Sequence, residues 1–255
     1  MKQLPASDPI EFIYNTYVKD KSKRVKKEEY NGWFSASAAG SCYRRQWYNI
    51  HDAEQGTLPE RVLRLLRLGT LLHKDIEDSI KYAKLNFPVD FKTGKILTEY
   101  EVELPEYKVL GHLDVAVIED GHVDVYDIKT IASYKFQMKF GRKPERNPWT
   151  NYEMQLATYA LGIINDENLF DEVPSVNLKL MYYKKDNSDM RVQNLDTELW
   201  MDVAAEYWTD LGITLSEIDD PEELIPGTSM GTPIQPNECK YCSYKDTLCP
   251  GVFSV

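Results

Sequence analysis

The sequence predicts a mixed α/β layer fold, and three observations lead there. Helical and extended patterns follow one another in the order helix, three strands, helix, strand, long helix. An Asp120-Gly121 dipeptide separates two apolar runs, a strong short-range signal for a two-residue hairpin loop. Leu65, Leu68, Leu72, Ile76 and Ile80 recur at helical spacing and mark one apolar stripe between Glu60 and Ala83.

Taken in order, residues 1–34 read as helical or irregular, up to Asn31-Gly32. A short helix is expected from about Ser35 to Ile50, with Cys42, Arg44 and Arg45 inside it. The Glu60–Ala83 helix precedes strands near Ile96–Leu104, Val109–Ile118 and His122–Ile131. A basic loop then leads to a helix from about Trp149 to Ile164, followed by a strand over Val176–Tyr183. Leu199, Val203, Tyr207, Leu211 and Leu215 make a long helix that Asp219-Asp220-Pro221 stops. The tail from Glu222 is rich in Pro and Gly. No internal repeat or low-complexity tract interrupts the chain.

A chain of 255 residues can bury one sizeable core, so a single domain over 1–255 is expected. No stretch approaches the ~20 apolar residues of a membrane helix, and Met1-Lys2-Gln3-Leu4-Pro5 opens no secretory signal. A cytoplasmic, reducing environment for the cysteines is the expectation. The formal net charge of -11 argues against a protein that coats nucleic acid, yet leaves room for an enzyme acting on it. Basic residues gather at Lys21 to Lys27 and again at Lys135, Lys139, Arg142, Lys143 and Arg146. The second group is interleaved with Tyr134, Phe136, Phe140 and Trp149. Such a mixture suits a loop gripping a nucleic-acid strand, and equally a solvated loop.

The hairpin carries the most chemistry. With Asp120 and Gly121 as its loop, paired residue numbers sum to 241, which sets Asp114 opposite Asp127. Lys129 shares their face because strand side chains alternate. Two carboxylates with Cβ atoms ~5 Å apart repel one another. A divalent cation turns the pair into a ligand set, and hard oxygen donors suit Mg²⁺ or Mn²⁺. A surface hairpin could instead hold all three charges in water. Val115, Val117, Val123, Val125 and Ile128 favour an interior hairpin, where charges need a reason to be.

Gly69, His73 and Glu77 line one face of the Glu60–Ala83 helix at four-residue spacing. On that helix alone His73 reads as a partly buried histidine bonded to a carbonyl rather than a metal ligand. Gln155 and Tyr159 lie one helical turn apart, and by themselves read as a core-edge pair. Arg61, Arg64 and Arg67 read as a solvated stripe. Cys239, Cys242 and Cys249 form a C-x2-C-x6-C cluster, with Cys42 far upstream and Pro250 next to Cys249. Four cysteines in a reducing compartment suit zinc or an iron–sulfur cluster, and the one-plus-three split with the Cys-Pro ending favours the cluster. Disulfides or free thiols are the remaining alternative.

Together these features resemble the RecB-like branch of the PD-(D/E)XK nucleases, specifically its iron–sulfur members. These include the CRISPR-associated RecB-type exonucleases, their viral relatives and the nuclease domain of AddB. The likeness runs from about Ser37 to Pro250. Gly69 and His73 match a G-x-x-x-H helix motif, and Asp114 the motif aspartate. Asp127 and Lys129 match D-x-K, and Gln155 and Tyr159 match Q-x-x-x-Y. The proline of the family's name is Leu113 here.

The resemblance implies a restriction-endonuclease-like core, a mixed sheet flanked by helices, over 60–218. An N-terminal helical segment, 1–59, and a cysteine segment, 219–255, would be joined by a 4Fe-4S cluster on Cys42, Cys239, Cys242 and Cys249. His73, Asp114, Asp127 and the Ile128 carbonyl would bind Mg²⁺ or Mn²⁺. Asp114, Asp127, Lys129, Gln155 and Tyr159 would form the catalytic set. The implied activity is metal-dependent exonucleolytic hydrolysis of DNA, of single strands or ends, in recombination, replication or repair. Such an enzyme would act in the cytoplasm (the host's, if viral) and could work with a helicase, recombinase or integrase. A CRISPR-adaptation nuclease trimming DNA before integration is the near alternative. A non-catalytic iron–sulfur DNA-binding scaffold is the alternative of another class.

Overall fold

A computed structural model describes residues 9–22, 30–86, 95–142, 151–234 and 236–252. Lys143, Arg146 and Trp149, and the basic residues from Lys23 to Lys27, lie outside the described residues. The N-terminal part holds helix α1 (Pro9–Lys21), the short strand β1 (Phe34–Ser35), helix α2 (Tyr43–Ile50) and the long helix α3 (Glu60–Asn86). Then come β2 (Lys95–Leu104), β3 (Val109–Glu119), β4 (His122–Ile131), α4 (Ser133–Phe140), α5 (Asn151–Ile164), β5 (Ser175–Lys184), β6 (Met190–Asn194) and α6 (Thr197–Ser216). A small hairpin, β7 (Thr228–Ser229) and β8 (Thr232–Pro233), and helix α7 (Pro236–Lys240) complete the chain.

The strands form one six-stranded mixed sheet and a separate two-stranded one. In the large sheet β2, β3 and β4 are antiparallel neighbours, β4 pairs in parallel with β5, and β5 pairs antiparallel with β6. The α4–α5 stretch supplies the crossover that a parallel β4–β5 pair requires. Asp120 (φ 45°) and Gly121 (φ 75°) both adopt left-handed backbone, as a type I′ hairpin turn demands. That turn fixes the β3–β4 register, from Glu119 opposite His122 to Val115 opposite Tyr126, as the dipeptide predicted. On the other side of β3, a turn through Pro105–Tyr107 and Lys108 (φ 52°) sets the β2 register.

Helix α5 packs on the sheet and α6 packs behind it. Leu156, Ala157, Ala160 and Ile163 of α5 are fully buried, with Val123, Val125, Leu178 and Leu180 from the strands and Tyr207, Trp208 and Leu211 from α6. Each large apolar side chain buried in this way contributes roughly 1.5–3 kcal/mol. Two polar tips in this core are paired: Trp208 Nε1 donates to Thr158 Oγ1 at 2.8 Å, and Tyr43 donates its hydroxyl to Asp210 at 2.6 Å.

Four local expectations need correction. The helix expected over Ser35–Ile50 begins only at Tyr43, with β1 and a 3₁₀ turn, Ala36–Ala38, before it; Cys42 is therefore the helix N-cap residue. The basic loop after β4 contains a helix, α4, whose Phe136 and Phe140 recur one turn apart and pack inward. Strand β6 lacked a usable signal, because Met190–Asn194 is a mostly exposed edge with no buried side. The α3 stripe is only half-buried, and Leu65 and Leu68 are exposed; Leu63 is the one fully buried residue of α3.

Gly111 is where sheet and helix approach most closely, since a Cβ there would lie 2.6 Å from Ala36 Cβ and 2.7 Å from Tyr159 Cε1. Gly111→Ala is therefore expected to destabilise the protein by about 1–3 kcal/mol through overpacking. A urea-denaturation midpoint unchanged from wild type would contradict this packing.

Candidate active site

The site forms where β4 parts from β3. β3 pairs with β2 along one edge, while its other edge is shared by β4 at Val115–Glu119 and β1 at Val109–Leu110. Between those two partners the edge opens, and Asp114 occupies the opening. The β3–β4 ladder thus stops one pair short of the Asp114/Asp127 pairing that the hairpin implied. Asp114 instead bridges the fork with its side chain, its Oδ2 accepting the Ile128 backbone N–H at 2.6 Å. The two aspartates remain close enough that each sits in the other's field, and Asp114 helps to raise the Asp127 pKa.

Asp127 continues the buried row of Val123 and Val125, and only 1% of it is exposed. Burial pushes its carboxyl pKa up, against the pull of Lys129. Lys129 Nζ donates to Asp127 Oδ1 at 3.0 Å and to Gln155 Oε1 at 2.9 Å. Gln155 Nε2 in turn donates to the Tyr159 hydroxyl at 2.8 Å. Two residues from β4 and two from α5 thus form one hydrogen-bonded chain, which joins the sheet to the helix. Burial works against the Lys129 charge, but Asp127 outweighs it and holds the pKa above the usual lysine value. Lys129 is a firmly charged ammonium. Asp127 Oδ2 is buried with no hydrogen-bond partner, since Lys129 Nζ at 2.8 Å lies outside hydrogen-bond geometry.

Helix α3 supplies His73, whose Nδ1 lies 3.3 Å from Asp114 Oδ1. That contact holds the imidazole pKa up, against burial. Gly69, one turn earlier, faces Thr130 of β4, so α3 approaches the sheet beside the site. Glu99 of β2 is the residue that sequence reasoning missed. Donor atoms of His73, Glu99 and Asp114 all lie within 4.8 Å of one another, the one such set of His, Cys, Asp or Glu among the described residues. Desolvation raises the Glu99 pKa, and the charges of Asp114 and Glu77 add to it. In sequence Glu99, Glu101 and Glu103 look like an ordinary solvated edge. The turn that sets their register contains no Asp-Gly signal to count from.

The described residues among those expected to hold DNA differ in their exposure. Lys135 and Arg142 are exposed on and after α4. Lys139 is engaged within the fold, donating to Glu153 Oε1 at 3.1 Å and lying 5.0 Å from the Tyr182 ring centroid. Phe136 is core and Phe140 packs edge-on against Tyr182, so neither is available for base stacking as expected; Tyr134 is exposed. Arg64 and Arg67 turn towards α1, where Asn15 Oδ1 accepts from Arg64 and the Arg67 guanidinium lies over Tyr17.

The four cysteines line one small cavity with Arg44, Arg45, Tyr48 and Tyr244. All four are free thiols, which excludes a disulfide among them in this structure. Backbone N–H groups of Gly227 and Val252 donate to Cys42 Sγ and Cys239 Sγ, each at 3.2 Å. Burial raises the Cys242 pKa.

A sequence profile described as the PD-(D/E)XK nuclease superfamily matches residues 19–250. No match was found among curated protein sequences. Among solved structures the fold is similar to that of SSO0001 (TM-score 0.52, 20% identity, covering 97% of this chain and 98% of that one). A Eubacterium rectale protein described as a "putative exonuclease" aligns with TM-score 0.49 and 11% identity, over 85% of this chain and 98% of that one.

Removing the Lys129 ammonium alone would leave Asp127 charged, buried and unpaired, a defect that costs about 3–5 kcal/mol. Its native pKa, already raised, would rise further above the unfolded value of about 3.9. A carboxyl with a raised native pKa gives up stability as pH rises through that pKa and recovers it below. Lys129→Ala should therefore lose more stability at pH 8 than at pH 5, relative to wild type at each pH. Equal losses in urea titrations at the two pH values would contradict the buried pair.

Proposed function

The chain belongs to the PD-(D/E)XK nuclease superfamily, and on that premise we propose that it is a metal-dependent DNA exonuclease of the RecB-like kind, acting on single strands or DNA ends. The observation that carries this reading is the convergence of His73, Glu99 and Asp114 donor atoms within 4.8 Å of one another, beside the buried Asp127–Lys129 ion pair. Carboxylate oxygens and an imidazole nitrogen gathered in this way fit a hard divalent ion. His73, Asp114 and Asp127 would hold Mg²⁺ or Mn²⁺, with the Ile128 carbonyl as the ligand that the family resemblance adds. Bound there, the ion would supply charge to polarise a phosphodiester and a water of lowered pKa.

The chain's own residues account for the rest. Lys129 would place a positive charge against the developing phosphorane and orient or help deprotonate the attacking water. Gln155 aims that ammonium, and Tyr159 braces Gln155 from below. A scaffold without activity would have no use for a buried ion pair next to a set of metal donors. Exposed Lys135 and Arg142 would screen phosphates of an incoming strand. Recombination, replication or repair is the setting we infer.

The cysteine cavity is read as a 4Fe-4S site. A tetrahedral zinc ion at about 2.3 Å from each sulfur holds its thiolates about 3.8 Å apart. The split of one cysteine upstream and three downstream, with Pro250 next to Cys249, is the pattern that favours a cluster over one ion. The Gly227 and Val252 amides are donors of the kind that stabilise cluster sulfurs.

Digestion of 5′- and 3′-labelled single- and double-stranded DNA should proceed with Mg²⁺ or Mn²⁺ and stop with EDTA. Lys129→Met, which keeps the side-chain volume, should still bind DNA yet lose cleavage; a Lys129→Met protein as active as wild type would defeat the assignment. Protein purified without oxygen should be brown, and Cys42→Ser should lower both colour and melting temperature. Colourless protein carrying zinc would remove the cluster reading.

A further inference from the structure

We propose that Tyr152 is the residue on which the substrate strand stacks: one face of its ring covers Lys129, and the other receives an unpaired base next to the phosphate to be cut. The inference rests on the nuclease reading above and deepens it by naming the part of the strand that the site grips. Tyr152 stands in the first turn of α5, three residues before Gln155 and seven before Tyr159, so the three share one stripe of the helix. That stripe runs from the interior outwards. Tyr159 and Gln155 are buried, whereas Tyr152 is 46% exposed and is the one exposed residue of α5.

The ring is tied to the charge of the site. Lys129 Nζ lies over it, 4.8 Å from the ring centroid, within the reach of a cation–π contact. The same nitrogen donates to Asp127 and Gln155, and the Lys129 side chain keeps only 16% of its surface open. A half-exposed ring against a nearly buried ammonium forms a wall of the passage by which a phosphate would reach Lys129. Among the described residues no hydrogen bond and no second ring contact engages Tyr152. The ring face turned away from Lys129 therefore has no polar or aromatic partner within the described fold.

A ring so placed offers a single strand two things at once. It stacks with any base, because every base has a π-face, and the ammonium behind it attracts the neighbouring phosphate. A base inside a duplex already has neighbours on both faces. Only an unpaired strand or a frayed end can lay a base on Tyr152 while its phosphate reaches Lys129. Tyr152 would then set a preference for single strands without reading sequence, and its hydroxyl would be dispensable.

The test is steady-state digestion of single-stranded oligothymidine in Mg²⁺ by the full-length protein, with an abasic oligomer of equal length as competitor and thermal melting alongside. Tyr152→Leu should raise KM about 5- to 150-fold, the span of base–aromatic stacking, with little change in kcat. Its inhibition constant for the abasic oligomer should match that of wild type, because that strand has no base to stack. Tyr152→Phe, which keeps the ring, should recover the wild-type KM, and all three proteins should melt alike. Should Tyr152→Leu melt early, Tyr152→Gln, suited to an exposed helix position, takes its place with the same expectations. An unchanged KM, a loss confined to kcat, or an abasic inhibition constant that rises in step with KM would overturn the stacking role and leave the nuclease reading standing. Wild type that cuts no DNA would instead remove both.

Discussion

An ionised carboxylate in the row of Val123 and Val125 is the constraint around which this molecule is arranged. Asp127 belongs by position to the sheet's core face, where an unpaired charge costs several kcal/mol. Lys129, two residues on and on the same face, answers it within the strand. That reply brings a second buried charge, and satisfying it draws in α5 through Gln155 and Tyr159. Gly111 then has to be glycine-sized, because Tyr159 and Ala36 fill the space above it. The close seating of α5 and the polarity of the site are thus one requirement met twice.

Sequence reading reached the centre of this arrangement because the local chemistry was explicit there. Asp120-Gly121 dictates a turn with both φ values positive, and that turn dictates the register of Val115 with Tyr126. Asp114, Asp127 and Lys129 follow by counting. Glu99 was out of reach because its register depends on Pro105–Tyr107 and Lys108, a longer turn whose sequence does not specify a pairing. The α4 helix was legible in principle from Phe136 and Phe140, four apart, but surrounding lysines made the segment look like a loop. His73 needed both the family motif and the fold, since a lone histidine on a helix says little until Asp114 is seen beside it.

The C-terminal segment is held by more than its cysteines. The buried Arg44 side chain donates to the Leu224 carbonyl at 2.9 Å and to the Glu222 carbonyl at 2.9 Å. Tyr48 donates to the Leu248 carbonyl at 2.8 Å, and Tyr244 to Asn49 Oδ1 at 2.9 Å. Helix α2 therefore grips the segment at Glu222, Leu224, Tyr244 and Leu248. A thiolate-binding group entering there, as proposed, would meet a wall already assembled by uncharged and cationic hydrogen-bond donors. Less ordering entropy is then charged against binding than in a site built by the metal alone.

Helix α3 joins these packing facts to the chemistry. It carries His73, yet Leu63 is its single fully buried residue, so the apolar effect that seats α5 does little for it. Its position comes from a few polar and close contacts. Near its start Asn15 of α1 donates to Glu60 and accepts from Arg64. In the middle Gly69 leaves room for Thr130, and near the end Lys84 Nζ donates to the Ile96 carbonyl at 2.7 Å. An element held this way is among the first to shift when local stability is tested. The Asp114–His73 contact is then one of the few restraints linking α3 to the sheet. Two carboxylate carriers, β3 and β4, accordingly face a more weakly held histidine carrier, and a group bound between Asp114 and His73 would tighten an element that packing holds weakly.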